Sequence, residues 1–485
     1  MSRLFAVANV LGMVILIFSL SMLLPLAVSL WLGDAAQYAY DGAIAITFAA
    51  GLVMWLGTRR YQRELQVRDG FLLVVLVWSV LPAFAALPLL FFIPELSFTD
   101  AYFEAMSGLT TTGATVLSGI DTLPSSINLW RTETVWLGGM GLIVLAVAIL
   151  PLLGVGGRQM LKAETPGPMK DTKLTPRIAE TAKGLWLIYV AITVACVGAF
   201  KLAGMTWPDA VMHAFSTMGL GGFSSHDASF AYFDSPRIEM VAMAFMLIAG
   251  VNFATHFLVW REKRPALYYR DPEAGWFVAI TLASCLGLAF YLWRMGVYPD
   301  LLDALRYASF NTVSIATTTG FANTDYNVWP IFAPLWMLFL SSFCTSSGST
   351  GGGIKMIRAQ ILYRQVFREM VKIMHPQAVA QVKLEGAVVP NKIIFAVLAF
   401  MFVYIASIVI ITLVLTASGL DVVSAFSATV ACINNTGPGL SQVGPATTYA
   451  VLSDFQTWVC SFTMLLGRLE LFTLLVVFTP VFWRK

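Results

Sequence analysis

Asp100-Ala-Tyr-Phe-Glu-Ala-Met-Ser-Gly-Leu-Thr-Thr-Thr-Gly113 decides the fold, because the chain repeats its pattern three more times. The later copies are Asp209-Ala-Val-Met-His-Ala-Phe-Ser-Thr-Met-Gly-Leu-Gly-Gly222, Tyr307-Ala-Ser-Phe-Asn-Thr-Val-Ser-Ile-Ala-Thr-Thr-Thr-Gly320 and Ser424-Ala-Phe-Ser-Ala-Thr-Val-Ala-Cys-Ile-Asn-Asn-Thr-Gly437. All four carry alanine at one position (Ala101, Ala210, Ala308, Ala425) and a small residue at another (Ser107, Ser216, Ser314, Ala431). Each copy is semi-apolar and too short to cross a bilayer core as a helix, so it reads as a re-entrant half-helix followed by an extended loop. Between successive copies lie the rest of one apolar span, a basic loop and the next span. The repeating unit is therefore helix, half-helix, loop, helix.

The flanking sequence explains why such loops are tolerated. The 485-residue chain is 58% hydrophobic and 12% charged, with a mean hydropathy of +0.76, which excludes a soluble globular enzyme. Long apolar runs extend from Leu4 to Leu32 and from Ala43 to Gly57, and others begin near Gly70, Asn128, Leu185, Ile238, Ala274, Pro330, Ile393 and Val451. The expected fold is an all-α polytopic membrane protein with ten transmembrane helices. Four pseudosymmetric units surround one pore, preceded by an extra helix pair. The proposed segments are 1–68 for that pair and 69–160, 161–264, 265–375 and 376–485 for the units. The first run is about twice as long as a signal-peptide core and is read as retained.

Basic residues concentrate at alternate span ends, which places both termini in the cytoplasm and leaves Arg131, Lys201, Arg237, Arg294 and Arg306 outside. Acidic residues favour the outer face. Either they attract cations there or they fill the side that basic residues avoid. Five cysteines without CxxC spacing and four histidines without HExxH spacing give no support to a disulfide framework or a zinc site.

Irregular backbone at membrane depth persists only where protein buries it or water lines it. Four such loops from four similar units would meet on a pseudo-fourfold axis, with the shared glycine freeing the backbone to turn carbonyls inward. A ring of carbonyls replaces a hydration shell, and half-helix C-termini add partial negative charge. Monovalent cation permeation is the implied chemistry, since dedicated calcium sites need several carboxylates.

The loops Thr111-Thr-Gly-Ala114, Leu220-Gly-Gly-Phe223, Thr318-Thr-Gly-Phe321 and Asn435-Thr-Gly-Pro438 resemble the four pore loops of the Trk/Ktr/HKT potassium transporters. The resemblance covers residues 70–485, and the leading helix pair matches the additional segment of the TrkH branch. It implies potassium uptake across the bacterial inner membrane, with the potassium ion held by backbone oxygens of Thr111, Thr112, Leu220, Gly221, Thr318, Thr319, Asn435 and Thr436. Gly113, Gly222, Gly320 and Gly437 are then the filter glycines. Because only that glycine is common to all four loops, discrimination against Na⁺ is expected to be weaker than in a strict tetramer. The family also implies a homodimer and a cytoplasmic NAD- or ATP-binding regulatory subunit, TrkA. No enzymatic activity and no nucleic-acid partner are expected.

The third unit contains Ser341-Ser-Phe-Cys-Thr-Ser-Ser-Gly-Ser-Thr-Gly-Gly-Gly353, where glycine at 348, 351, 352 and 353 disfavours a helix by up to about 1 kcal/mol each. The resemblance implies that Gly348, Gly351, Gly352 and Gly353 form a gate below the filter; a passive kink is the alternative. A P-loop is excluded, because Lys355 does not follow Gly353 directly and no βα unit surrounds it. Arg468 is read as lying deep in the last span, where a lipid-facing charge would cost at least about 2.5 kcal/mol. The resemblance implies that it lies in the permeation path near the glycine-rich loop as part of the gate; a structural pair with Glu470 or another carboxylate is the alternative. Asn252 and His256 share a helix face and read as interhelical hydrogen-bonding residues. The basic segment 157–183 could bind anionic lipid or dock a protein, or simply reflect topology. The runner-up function is a potassium transporter coupled to H⁺ or Na⁺.

Overall fold

The structure, a computed structural model, describes residues 2–61, 65–141, 178–384 and 386–484. Six of its helices are long and apolar enough to cross a membrane: Leu4–Leu32, Gln37–Tyr61, Arg68–Phe92, Ala182–Ala203, Ala274–Arg294 and Asn391–Ala417. Two bent pairs raise the count to eight if each is one span. Apart from one small hairpin, Lys383–Leu384 paired with Ala387–Val388 ahead of the span at Asn391, the described chain is helical.

The leading pair packs as one closely crossed hairpin. A side chain at Gly12 would lie 2.8 Å from the Trp55 amide nitrogen, and one at Gly51 would lie 2.9 Å from the Gly12 carbonyl. Asn9 ties the far end, donating to Trp55 O and Thr58 Oγ1 at 3.2 Å each. This pair shares its core with the first and fourth units: Val7, Phe18, Trp78, Phe103, Leu415 and Met464 belong to one buried cluster. A second cluster joins Phe200 and Phe230 of the second unit to Phe310 and Phe321 of the third, and another joins Leu288 and Tyr326 of the third to Val430 and Leu440 of the fourth. The apolar cores thus run around a ring of units and not through a single centre.

Four short helices point into that ring: Phe98–Leu109, Trp207–Gly219, Leu301–Ala316 and Val422–Ile433. Each is followed by a second helix, and in the second, third and fourth units that helix is interrupted where the chain would complete a crossing. In the first unit Ser125–Trp136 passes into a π-helical turn, Leu137–Gly141. In the second, Pro236–Gly250 and Phe253–Glu262 meet at 91°, and in the fourth, Asp454–Arg468 and Phe472–Phe478 meet at 106°. In the third, Phe332–Ser341 ends and Met356–Met374 begins after an irregular loop.

Only the third of these breaks was legible in the glycines, and the runs beginning near Ile238 and Val451 were expected to be continuous. The bends persist because their freed backbone groups find partners. Asn252 caps the new helix through Ala254 N at 2.9 Å, while Ser346 N and Phe253 N bond Gly250 O and Gly348 O at 3.0 Å each. In the fourth unit Glu470 and Leu471 take left-handed φ values of 51° and 55°, and their amides return to Gly467 O and Leu466 O. Arg468 therefore ends a half-helix at a bend and does not lie inside a continuous span.

Candidate functional site

The four short helices end alike although their sequences differ. The amide just before each repeat glycine bonds the carbonyl five residues earlier: Thr112 to Ser107 at 2.8 Å, Gly221 to Ser216 at 3.0 Å, Thr319 to Ser314 at 2.8 Å and Thr436 to Ala431 at 2.8 Å. The residue between, Thr111, Leu220, Thr318 or Asn435, is left-handed with φ of 57°, 55°, 61° and 53°. This closing turn satisfies the last orphan carbonyls of each helix and throws the chain sharply toward the centre. The small residue repeated in all four copies is its acceptor.

The four glycines then meet in a ring. A Cβ on Gly113 would lie 2.2 Å from Gly222 N; one on Gly222, 2.7 Å from Gly320 C; one on Gly320, 2.2 Å from Thr436 O; and one on Gly437, 2.6 Å from Thr112 O. Each contact is to the backbone of the next loop, so no side chain is tolerated at any of the four. Gly113, Gly320 and Gly437 also have positive φ, whereas Gly222 does not, so its identity rests on close approach alone.

The hydroxyls of Thr112 and Thr319 are held by neighbouring side chains. Thr110 Oγ1 contacts Thr112 Oγ1 at 2.8 Å, Thr317 Oγ1 contacts Thr319 Oγ1 at 2.7 Å, and Asn435 Nδ2 donates to Thr112 Oγ1 and Met464 O at 3.0 Å each. Among the described residues no donor bonds the carbonyl oxygens of Thr112, Thr319 or Thr436. Buried carbonyls left over in this way are available to a cation.

Below the ring the loop between Ser341 and Met356 touches the second, third and fourth units. Thr350 Oγ1 donates to Met218 O at 2.9 Å, and Gly352 N donates to Thr318 Oγ1 at 2.8 Å. A Cβ on Gly352 would lie 1.9 Å from Asn434 O, and one on Gly351 3.1 Å from Thr317 O. Gly348 and Gly353 have φ of 76° and 77°, and Gly348 lies against Asn252, 2.6 Å from an added Cβ to its Oδ1. Glu273 Oε1 accepts from Ser347 N at 2.9 Å and Ile357 N at 2.8 Å, pinning both limbs of the loop. Lys355 Nζ bonds Gly351 O.

Arg468 reaches the same level. Its guanidinium donates to Thr111 Oγ1 and Thr350 O at 3.3 Å each, to Gly139 O at 3.0 Å and to Gly138 O, and stands 5.3 Å from the Trp78 ring. The expected alternative partner, Glu470, accepts instead from Arg358 at 2.5 Å, and Arg358 lies 4.1 Å from the Phe400 ring.

Above the ring opens a cavity of about 360 Å³ lined by the four repeat glycines together with Arg131 and His226. Arg131, expected at an outer span end, is buried and paired with Glu104 at 2.7 Å. His226 bridges two units: Nδ1 meets Asp121 Oδ1 at 2.5 Å, Nε2 lies 3.3 Å from Asp209 Oδ1, and the ring stacks on Tyr232 at 3.5 Å. Burial alone would depress its pKa, but bonds to Asp209 and Asp121 raise it. Burial would lift Asp209 and Asp121, yet hydrogen bonds from His226 and neighbours hold both below the usual carboxylate value. Sequence reading missed this bridge, since its members are separated by loops of different units and share no spacing.

The four repeat glycines thus pack loop against loop, and Gly351, Gly352 and Arg468 reach the ends of the short helices that carry them, whereas Gly348 lies against Asn252 and Gly353 against the Ser341 and Ser342 carbonyls. Asn252 and His256 do not form one site: Asn252 is a helix cap, while His256 bonds Tyr268 Oη at 2.7 Å and Ile248 O at 2.9 Å. Of the basic segment 157–183, residues 157–177 lie outside the described residues, and Lys183 is exposed.

Residues 41–485 match the family model described as TrkH, a cation transport protein. The chain is 46% identical over 481 residues to the Trk system potassium uptake protein TrkH of Halomonas elongata, and 45% identical to that of Escherichia coli K12, covering 99% of each chain in both cases. A crystal structure of the potassium transporter TrkH from Vibrio parahaemolyticus superposes with a TM-score of 0.90 at 44% identity, covering 99% of this chain and 100% of that one.

Proposed function

The chain belongs to the TrkH family of cation transport proteins, and from that membership we propose that it takes up potassium across the bacterial inner membrane through a gated, channel-like pore. The observation that carries the reading is the ring of four glycines in which each loop packs on the backbone of the next. Around it, carbonyls of Thr111, Thr112, Leu220, Gly221, Thr318, Thr319, Asn435 and Thr436 coordinate K⁺ or Rb⁺ as cargo, while the hydroxyls bonded elsewhere serve as scaffold. Four helix C-termini aimed at one axis add partial negative charge.

The loop carrying Gly348, Gly351, Gly352 and Gly353 lies directly beneath the ring and, with Arg468, forms the closed gate. Its bonds to Met218 O, Thr318 Oγ1 and the Arg468 guanidinium support that role. Opening requires these bonds to be exchanged, and the family's nucleotide-binding TrkA subunit at the cytoplasmic face is the proposed agent. Ten crossings, cytoplasmic termini, a homodimer and anionic lipid at the basic segment complete the proposal.

The test is ⁸⁶Rb⁺ uptake into KCl-loaded liposomes by the purified protein, beside Gly113→Ser, with pH and Na⁺ varied separately. Filter-dependent uptake that needs neither H⁺ nor Na⁺ gradient supports the pore. Uptake that vanishes without a second ion gradient replaces it with the coupled transporter.

A further inference from the structure

The ring of glycines fixes only one point of each loop. A carbonyl ring selects by radius and field strength only if its strands cannot spread, so the strand leaving each glycine must also be held. Such a hold is present in all four units, made from four different chemistries.

In the first unit, nine residues before the glycine, Glu104 accepts from Thr115 Oγ1 at 2.9 Å and from Val116 N at 3.0 Å. At the same position in the second unit His213 Nε2 meets Ser224 Oγ at 2.9 Å. Its Nδ1 faces Asp209 O at 2.9 Å, and since a carbonyl only accepts, Nδ1 carries a proton; in the neutral ring Nε2 then accepts from the Ser224 hydroxyl. In the third, Asn311 Nδ2 donates to Asn323 Oδ1 at 2.6 Å. In the fourth, alanine occupies the position and the preceding Ser427 substitutes, its Oγ accepting from Leu440 N at 2.8 Å.

The partners Thr115, Ser224, Asn323 and Leu440 stand two or three residues beyond their glycines. Glu104, His213, Asn311 and Ser427 are all 1% exposed or less. Arg131 strengthens the first hold, binding Glu104 through Nε and Nη2 at 2.9 and 2.7 Å, and reaches the second loop through Ser224 O at 3.3 Å.

We propose that Glu104, His213, Asn311 and Ser427 are positioning residues for ion selection, which clamp the four strands leaving the filter and so set its radius. The proposal rests on the reading of the four loops as a cation filter. None of the four touches the ion; each acts through the backbone that does. A buried hydrogen-bond partner lost from such a clamp leaves its mate unsatisfied and the strand free to move.

The experiment uses the full-length protein in liposomes and reads the ratio of ⁸⁶Rb⁺ to ²²Na⁺ uptake. Asn323→Ala removes the acceptor for Asn311, whereas Asn323→Asp keeps it; Ser224→Ala removes the hydroxyl facing His213, whereas Ser224→Thr keeps it. The alanine variants are expected to lower the ratio at least about threefold and the conservative variants to restore it. A loss of total uptake with the ratio unchanged in both alanine variants overturns the proposal, as does failure of both conservative variants to restore it. The two pairs lie in different units, so the result stands on either if one does not yield folded protein. A natural chain that conducts neither ion overturns the filter reading and this proposal with it, whereas a discriminating natural chain with unaltered variants overturns this proposal alone.

Discussion

The Arg468 guanidinium donates to the carbonyl of Thr350 at 3.3 Å, joining the bend of the fourth unit to the loop of the third directly beneath the glycine ring. A fixed positive charge within a few ångströms of a cation path costs a passing ion on the order of 1–4 kcal/mol, depending on the effective dielectric. Arg468→Ala is therefore expected to raise basal ⁸⁶Rb⁺ uptake about tenfold, equivalent to ~1.4 kcal/mol off the barrier. Uptake equal to that of the natural chain removes Arg468 from the gate.

On the proposed reading Gly352 belongs to the gate and Gly320 to the filter, so the two positions separate gating from selection. A Cβ at 352 would meet Asn434 O at 1.9 Å and unseat the loop, while one at 320 would meet Thr436 O at 2.2 Å and distort the ring. Gly352→Ala should increase Rb⁺ flux and leave the Rb⁺ to Na⁺ ratio intact; Gly320→Ala should collapse the ratio. Paired isotope-uptake measurements check both, and a ratio lost in Gly352→Ala contradicts the division of labour.

The His226 bridge makes stability depend on pH. His226 has a raised pKa in the folded protein, so its contribution is complete below the ordinary imidazole value and disappears as pH rises through the raised one. Asp121 and Asp209 are lowered, so theirs is present above the ordinary carboxylate value and lost only in acid. The apparent melting temperature of the natural chain should exceed that of His226→Gln at pH 6, with the gap closing toward pH 9. Differential scanning fluorimetry in detergent measures this, and a gap constant across that range refutes the bridge.

Glu470 holds Arg358 at 2.5 Å with both side chains largely buried. Removing one partner of a buried pair strands the other charge and costs about 3–5 kcal/mol. Glu470→Gln should accordingly lower thermal stability, whereas the double change Arg358→Met with Glu470→Leu should recover part of it. Size-exclusion profiles after a temperature series give the comparison, and a Glu470→Gln protein as stable as the natural one denies the pair its role.

Much of the site was legible because repetition leaves a mark wherever geometry forbids substitution. Gly113, Gly222, Gly320 and Gly437 recur since a Cβ at each would strike the backbone of the next loop, and Ser107, Ser216, Ser314 and Ala431 are small at fully buried positions where each helix closes. The clamps behind the ring left no such mark. Glu104, His213, Asn311 and Ser427 do one job with a carboxylate, an imidazole, an amide and a hydroxyl, because a hydrogen bond specifies a donor and an acceptor but not the residue that brings them.

By itself the sequence determined the membrane class, the fourfold repetition and the positions where backbone must approach backbone, because apolar length and enforced glycine are local properties. The tertiary structure decided where the second helices of the units bend. It also decided which loop lies under the ring and that Arg468 faces Thr350, leaving Glu470 to Arg358. Those outcomes depend on partners from other units for backbone groups freed inside the membrane, and no residue's own neighbours in the chain reveal whether such partners exist.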